Sequence, residues 1–271
     1  MSIFFGVPRV VSHAASGKTR VFRVEPDDVD CEKPIPHEPG ADWLLRMRVK
    51  EEGVPDIKSE LPKVRQIRKD LQKLYSDEEI DRMFVLFDNV CTIKPYESPA
   101  PIQGEGLLSR YMGETLQSFI EKSDKVVSDF EEINSYGEKH LPFDIALSFD
   151  IQILERIRAL YNAGWEYKDY HFENILVDEH KNLRFIDFED AERLTIPKPT
   201  ERSIFHDKIY NLNRVGGLNS CYKFLFNNTI WTKINNSSTF EEVIKLLKDT
   251  QVRVKAYIIE TPTKTPPQKR R

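Results

Sequence analysis

The sequence lacks the features that mark secreted, disulfide-rich and membrane-spanning proteins. Its three cysteines, Cys31, Cys91 and Cys221, are far apart and match no C-x-x-C spacing. This argues against a disulfide framework and against a cysteine-rich zinc site, so we expect reduced thiols. No apolar run approaches the roughly 18 residues that a membrane span needs. The N-terminus also lacks a basic segment followed by a long apolar one. We therefore predict an intracellular protein, cytoplasmic or nuclear, with no membrane span.

A strong charge of one sign is also lacking. The 271 residues carry 40 basic and 44 acidic side chains, a formal net charge of −4. The last eleven residues, 261–271, are rich in proline and basic residues and contain no acid. We predict that they form a disordered basic tail, which leaves the rest of the chain more acidic still. An acidic protein surface argues against nucleic acid as the main ligand, because its negative charge would repel the phosphate backbone.

Hydrophobic periodicity predicts strands in the first part of the chain. Short apolar runs at 10–11, 21–24, 43–50, 84–90 and 107–112 are typical of strands. One helix is predicted among them from apolar residues at three- and four-residue steps: Leu61, Val64, Ile67, Leu71 and Leu74. This pattern describes a small sheet with a single helix.

The second part of the chain is predicted to be mainly helical. A strong helix is expected over 142–164, with Gly164 as its C-cap and with an apolar stripe: Leu147, Ile151, Leu154, Ile157 and Tyr161. Two more helical patterns cover about 203–226 and 239–258, the latter beginning with a capping box of Thr239 and Glu242. We predict an α+β fold with two units, residues 1–112 and 113–260.

Polar residues with a distinctive spacing lie between the helix at 142–164 and the next helical pattern. Asp169 and Asn174 precede the short apolar run 175–177, and Asp187 follows a second apolar run. A hairpin of these two runs would bring Asn174 and Asp187 together. A carboxylate and an amide oxygen, completed by phosphate oxygens and water, are suitable ligands for Mg²⁺. Asp169 could accept a proton or orient a hydroxyl.

The segments YKDYHFEN, 167–174, and IDFEDA, 186–191, resemble the catalytic loop and the metal loop of the protein-kinase-like superfamily. The family patterns are H-R-D-x-x-x-x-N and D-F-G, and the spacings agree. The sequence departs from these patterns at Tyr167 and Glu189, and it has His171 two residues after the aspartate. These departures resemble the branch of aminoglycoside phosphotransferases and choline kinases, and no long activation segment is recognisable.

The resemblance implies a bilobal protein-kinase-like fold, with a small β-rich N-lobe and a mainly helical C-lobe. It implies an ATP- and Mg²⁺-dependent phosphotransferase that moves the γ-phosphoryl group to a hydroxyl of a small molecule or a protein. Asp169 would then be the catalytic base or hydroxyl-orienting group. Asn174 and Asp187 would hold Mg²⁺.

The same resemblance nominates residues that contact the nucleotide phosphates. Gly17 lies in a turn of small residues, where the family has its glycine-rich loop. The strand WLLRM nominates Arg46 as the base at the α- and β-phosphates, although Arg48 and Lys50 share its strand face. A carboxylate from the following helix should pair with that base. Glu60 is our choice, although Pro62 could place it just outside the helix, and Asp70 is the alternative.

Residues 107–116 resemble the hinge segment, whose backbone groups read adenine. This alignment places Arg110, Tyr111 and Met112 against the nucleotide.

Two other interpretations have some support in the sequence. S-G-K-T at 16–19 resembles the end of a P-loop, but residue 12 is serine and a strand, not a helix, is predicted to follow. The stronger rival is a pseudokinase used for binding or as a scaffold. The poor glycine-rich loop, Arg46 and Tyr167 favour it, whereas the presence of Asp169, Asn174 and Asp187 argues for catalysis.

Overall fold

A computed structural model describes residues 9–13, 19–36, 42–48, 57–94, 105–122, 143–205 and 229–260. Gly17, Lys50, the basic tail and most of the helical pattern predicted at 203–226 lie outside these residues. The predicted α+β class is confirmed, because antiparallel sheets and several helices make up the described chain. None of the described helices combines the length and apolar composition that a bilayer crossing requires.

Six strands form the main sheet, and all neighbouring strands in it are antiparallel. They are β1 (Arg9–His13), β2 (Thr19–Val24), β3 (Val29–Cys31), β4 (Trp43–Arg48), β5 (Asn89–Ile93) and β6 (Glu105–Arg110). Their spatial order is β1-β2-β4-β6-β5-β3. Leu45 and Met47 alternate with Arg46 along β4 and are buried in one apolar cluster on the sheet. The period-two pattern therefore directs Arg46 to the opposite face.

Two small sheets follow the main one. β7 (Glu114–Thr115), β9 (Ile175–Val177) and β10 (Leu183–Phe185) form a three-stranded antiparallel sheet in the order β10-β9-β7. β8 (Trp165–Glu166) pairs with β11 (Glu192–Arg193). The predicted hairpin is therefore present as β9 and β10.

Six helices have described bounds. They are α1 (Leu61–Leu71), α2 (Asp77–Met83), α3 (Leu116–Lys122), α4 (Phe143–Asn162), α5 (Thr229–Asn236) and α6 (Phe240–Glu260). The apolar stripe predicted for α4 is buried at all five positions. Gly164 follows α4 with a φ of 86°, which suits glycine, and its N–H donates to the Tyr161 carbonyl. The Thr239–Glu242 capping box at the start of α6 is also confirmed.

The largest core cluster joins α4 and α6 to the β9–β10 hairpin and to α1. Val64, Ile67 and Leu71 of α1 belong to this cluster, while Leu61 packs with Val90 and Leu107 against the sheet. Helix α1 thus contacts both the main sheet and the helical part. The division at residue 112 stays a prediction.

Three expectations about this region are corrected. Helix α1 ends at Leu71, so Leu74 lies in a turn and is half exposed. The run 84–90 is not one strand, because α2 ends at Met83 and only β5, from Asn89, joins the sheet. Helix α2, which has its own capping box of Ser76 and Glu79, was not predicted.

The expectation of reduced thiols is wrong for two of the three cysteines. Cys31 and Cys91 form a disulfide between β3 and β5. They are direct partners in the antiparallel register of these strands. Sixty residues separate them in the chain, so their sequence spacing gave no sign of the pairing. Intracellular localisation stays a prediction.

Candidate active site

Arg46 joins two predicted site residues that are remote in the sequence. One Nη of its guanidinium is hydrogen-bonded to Glu60, and the other lies 3.2 Å from a carboxylate oxygen of Asp187. The Arg46 side chain is 14% exposed and that of Glu60 is 4% exposed. The guanidinium also lies over the Phe87 ring, 5.5 Å from its centroid. Charge pairing is strengthened in such a shielded setting.

The local chain explains why Glu60, and not Asp70, reaches Arg46. A 3₁₀ turn over Ile57–Glu60 leads into α1, and Glu60 is the N-cap residue just before Pro62. Proline suits the first turn of a helix, where its missing N–H is not needed. Asp70 lies almost three turns further on, with different partners. Lys50 and the side chain of Arg48 lie outside the described residues, so Arg46 is the candidate base whose contacts are known.

Asp169 and Asn174 are joined within one loop. The amide nitrogen of Asn174 donates to a carboxylate oxygen of Asp169 at 2.8 Å. The Nε2 atom of His171 lies 3.3 Å from that same oxygen. Asn174 is buried, whereas the Asp169 side chain is 41% exposed. One oxygen of the predicted base is thus held by neighbours, and the group remains open to an acceptor from solvent.

The β9–β10 hairpin brings the metal loop to this catalytic loop. The Ile186 N–H donates to the Asn174 carbonyl at 3.0 Å, directly beyond the paired residues Phe185 and Ile175. Asn174 and Asp187 therefore lie at the same end of the hairpin, as predicted. Asp187 has a φ of 57°, a left-handed conformation that is uncommon outside glycine. Such conformations cost energy and are concentrated at functional sites.

The buried Tyr167, in the predicted catalytic loop, contacts the predicted metal loop. Its hydroxyl donates to the Ile186 carbonyl at 2.5 Å, and its ring packs on Phe185 and Phe188. Burial raises the pKa of Tyr167 well above its usual value, and the negative charges of Asp187 and Asp169 add to this effect. The tyrosine hydroxyl therefore stays protonated and acts as a permanent donor.

The predicted hinge lies where the chain leaves the main sheet. Arg110 is the last residue of β6 and is paired with Trp43, while the Tyr111 N–H donates to the Asp42 carbonyl at 2.7 Å. Tyr111 is exposed and Met112 is half-buried. Gly113 follows with a φ of 120°, and a Cβ there would lie 2.0 Å from the Val177 carbonyl oxygen. Only glycine lets the chain pass so close to β9.

No three His, Cys, Asp or Glu side chains in the described ranges lie close enough to hold a metal ion by themselves. The predicted site does not need such a cluster. One carboxylate and one amide oxygen, Asp187 and Asn174, would be completed by phosphate oxygens and water. Both groups lie at the hairpin end, so the chemistry of the protein ligands suits Mg²⁺ bound together with a nucleotide.

The structure therefore brings together Arg46, Glu60 and Asp187, and separately Asp169 and Asn174, with the two sets connected through the hairpin. Arg110 to Met112 lie at the end of β6, and Gly17 is outside the described residues. The sequence interpretation missed Lys63, whose Nζ donates to the Glu189 carbonyl in the metal loop. Lys63 is three residues after Glu60, and this helical spacing was the available signal.

No protein-family model matches this sequence, and no curated protein matches it either.

Proposed function

We propose that this chain is an ATP- and Mg²⁺-dependent phosphotransferase with a bilobal protein-kinase-like fold. The proposal depends above all on one observation. The guanidinium of Arg46 in β4 is paired with the carboxylate of Glu60, just before α1, and it also contacts the predicted metal ligand Asp187. Phosphoryl transfer in this superfamily requires that ion pair and that metal ligand together. Asp169, the predicted proton acceptor, is held by Asn174, and the Asn174 carbonyl accepts a bond from the residue before Asp187.

Each side chain has a defined task in the proposed reaction. Arg46 neutralises charge on the α- and β-phosphates, and Glu60 holds the guanidinium in place. Asp187 and Asn174 would bind Mg²⁺, which when bound neutralises the charge of the phosphates. Asp169 orients an acceptor hydroxyl, whose oxygen bonds to the γ-phosphorus as the bond to the β,γ-bridging oxygen breaks. ADP leaves, and the hydroxyl proton passes to Asp169.

The proposed acceptor is a hydroxyl of a small molecule or a protein. His171 and Glu189, which replace the usual Lys and Gly of protein kinases, favour a small molecule. The N-lobe would comprise residues 1–112 and the C-lobe residues 113–260. We also propose an intracellular location for this activity.

A pseudokinase that binds partners without catalysis is the second candidate. One contact favours it: the Tyr111 N–H donates to the Asp42 carbonyl at 2.7 Å, so that group is unavailable to adenine.

Asp169→Asn separates the two candidates without a known acceptor, because water can serve as one. We expect Mg²⁺-dependent ATP hydrolysis by the wild type, and a loss of about 10²- to 10⁴-fold in the variant, the usual contribution of a general base. Asp249→Asn is the matched control, since Asp249 is an exposed acid in α6, outside both loops. Equal hydrolysis by wild type and Asp169→Asn would overturn the catalytic assignment.

A further inference from the structure

Lys63 connects helix α1 to the metal loop. It is the third residue of α1, and its half-buried side chain donates from Nζ to the backbone carbonyl of Glu189. The two residues are 126 positions apart, so the contact is purely tertiary. Lys63 follows Glu60 by three residues, which places both on the same side of the helix start.

The residue whose carbonyl Lys63 holds, Glu189, also contacts Asp187 through its own N–H. The Glu189 N–H lies 3.5 Å from one carboxylate oxygen of Asp187, while Arg46 lies 3.2 Å from the other. Both oxygens of the predicted metal ligand are therefore approached by donors. One donor is a side chain, and the other is a backbone N–H whose residue is anchored by Lys63.

The backbone at Asp187 needs such an anchor. Its φ of 57° is a left-handed conformation that persists only when the surroundings hold it. Phe188 fixes one side by packing against Phe84 and Tyr167 in the core. Glu189 comes next and is only half-buried, and the Lys63 bond to its carbonyl ties it to α1.

We propose that Lys63 is a positioning residue for the magnesium ligand Asp187. It acts through the backbone of Glu189 and couples the placement of α1 to the geometry of the metal loop. This inference rests on the proposed function, because it assigns Asp187 to Mg²⁺. Lys63 is not itself proposed as a ligand of the metal or the nucleotide.

The test is a magnesium titration that needs no acceptor. At a fixed, saturating ATP concentration, the rise in Tm is followed as Mg²⁺ is added to wild type, Lys63→Met, Lys63→Arg and Lys69→Met. Lys69→Met is the matched control, since it removes an exposed lysine from the same helix. Lysine in the first turn of a helix opposes the helix dipole, so Lys63→Met is not expected to unfold α1.

We expect Lys63→Met to raise the Mg²⁺ midpoint about tenfold, the lower end of the effect of outer-shell partners on metal sites. Lys63→Arg should restore most of the loss, and Lys69→Met should match wild type. A Lys63→Met midpoint within about twofold of wild type would overturn the inference while leaving the proposed function intact. Should Lys63→Met fail to fold, Lys63→Gln is measured in its place. No Mg²⁺-dependent rise in wild type would overturn the proposed function and this inference with it.

Discussion

Helix α1 has a buried carboxylate at each end, and the two illustrate different uses of the same chemistry. Glu60, just before the helix, pairs with Arg46 beside the metal loop. Asp70, in the last turn, accepts bonds from Lys73, Gln66, Trp165 and Arg193. Both are at most 5% exposed. Burial and ion pairing alone therefore do not identify a functional acid.

What distinguishes the two ends is what their partners contact. The partner of Glu60 also reaches Asp187, which would be freed for another ligand if Arg46 moved. The partners of Asp70 tie α1 to β8 and β11, and Arg193 lies over the Trp165 ring at 4.5 Å. We interpret the Glu60 end as part of the nucleotide site and the Asp70 end as a structural joint.

The largest expected effect of this difference is on activity. Glu60→Gln should lower Mg²⁺-dependent ATP hydrolysis about 100-fold, because Arg46 loses its charged anchor and small displacements of catalytic groups cost rates of that order. Steady-state kinetics of wild type, Glu60→Gln and Asp70→Asn test this, with Asp70→Asn as the buried-acid control. Equal losses in both variants would erase the distinction between the two ends.

The next effect is on stability. Asp70→Asn should lower the free energy of unfolding at pH 7 by about 1–3 kcal/mol, because buried donors lose a charged acceptor. Burial alone would raise the pKa of Asp70, but hydrogen bonds from Lys73, Gln66 and Trp165 and the charge of Arg193 lower it to about 2.

The lowered pKa of Asp70 determines how its contribution to stability changes with pH. A carboxylate whose pKa is lowered by folding stabilises the fold at pH values above its pKa in the unfolded state, here 3.8. This contribution is lost as the pH falls towards the pKa in the folded state, about 2. The difference between wild type and Asp70→Asn should therefore shrink between about pH 4 and pH 2. Urea unfolding across this range measures it, and a constant difference would contradict the assigned cause.

A third buried acid, Asp150 in α4, sharpens the comparison. Its substitution has the smallest expected effect of the three. It is fully buried, and neither of its oxygens has a hydrogen-bond partner among the described residues. Burial raises its pKa well above the usual value, so the folded state favours the protonated acid. Asp150→Asn removes the cost of that protonation and should raise Tm at pH 7 by a few degrees.

The contribution of Asp150 to stability changes with pH in the opposite direction to that of Asp70. A group whose pKa is raised by folding makes its full contribution to stability below its unfolded-state pKa of 3.8. That contribution declines as the pH rises towards the pKa of the group in the folded state. The advantage of Asp150→Asn should therefore grow from about pH 4 upward in Tm measurements. A variant that is less stable than wild type at pH 7 would contradict this account.

The segments proposed as catalytic and metal loops were the most predictable part of the molecule, because their arrangement is local. A hairpin of two apolar runs is enough to bring Asn174 and Asp187 to one end, and the spacing of Asp169 follows from the motif. The long helix α4 was equally predictable from its apolar period. These features depend on residues that are close in the chain.

Features that depend on tertiary contacts were less predictable. The choice between Glu60 and Asp70 needed the position of α1 against β4, and the Cys31–Cys91 pair needed the register of β3 and β5. The turn that ends α1 at Leu71 placed Leu74 at the surface despite its apolar spacing. Local pattern carries no information on such packing.

The central claim is that Asp187 binds Mg²⁺ together with ATP, and thermal unfolding tests it most directly. Tm is measured with and without Mg·ATP for wild type, Asp187→Asn and the control Asp249→Asn. Ligand at 100 times its Kd adds about 2.7 kcal/mol to the free energy of unfolding. For a chain of this size each kcal/mol raises Tm by about 2–4 °C. We expect a rise of several degrees that needs Mg²⁺, persists in Asp249→Asn and is lost in Asp187→Asn. No rise in wild type at millimolar Mg·ATP would contradict the account.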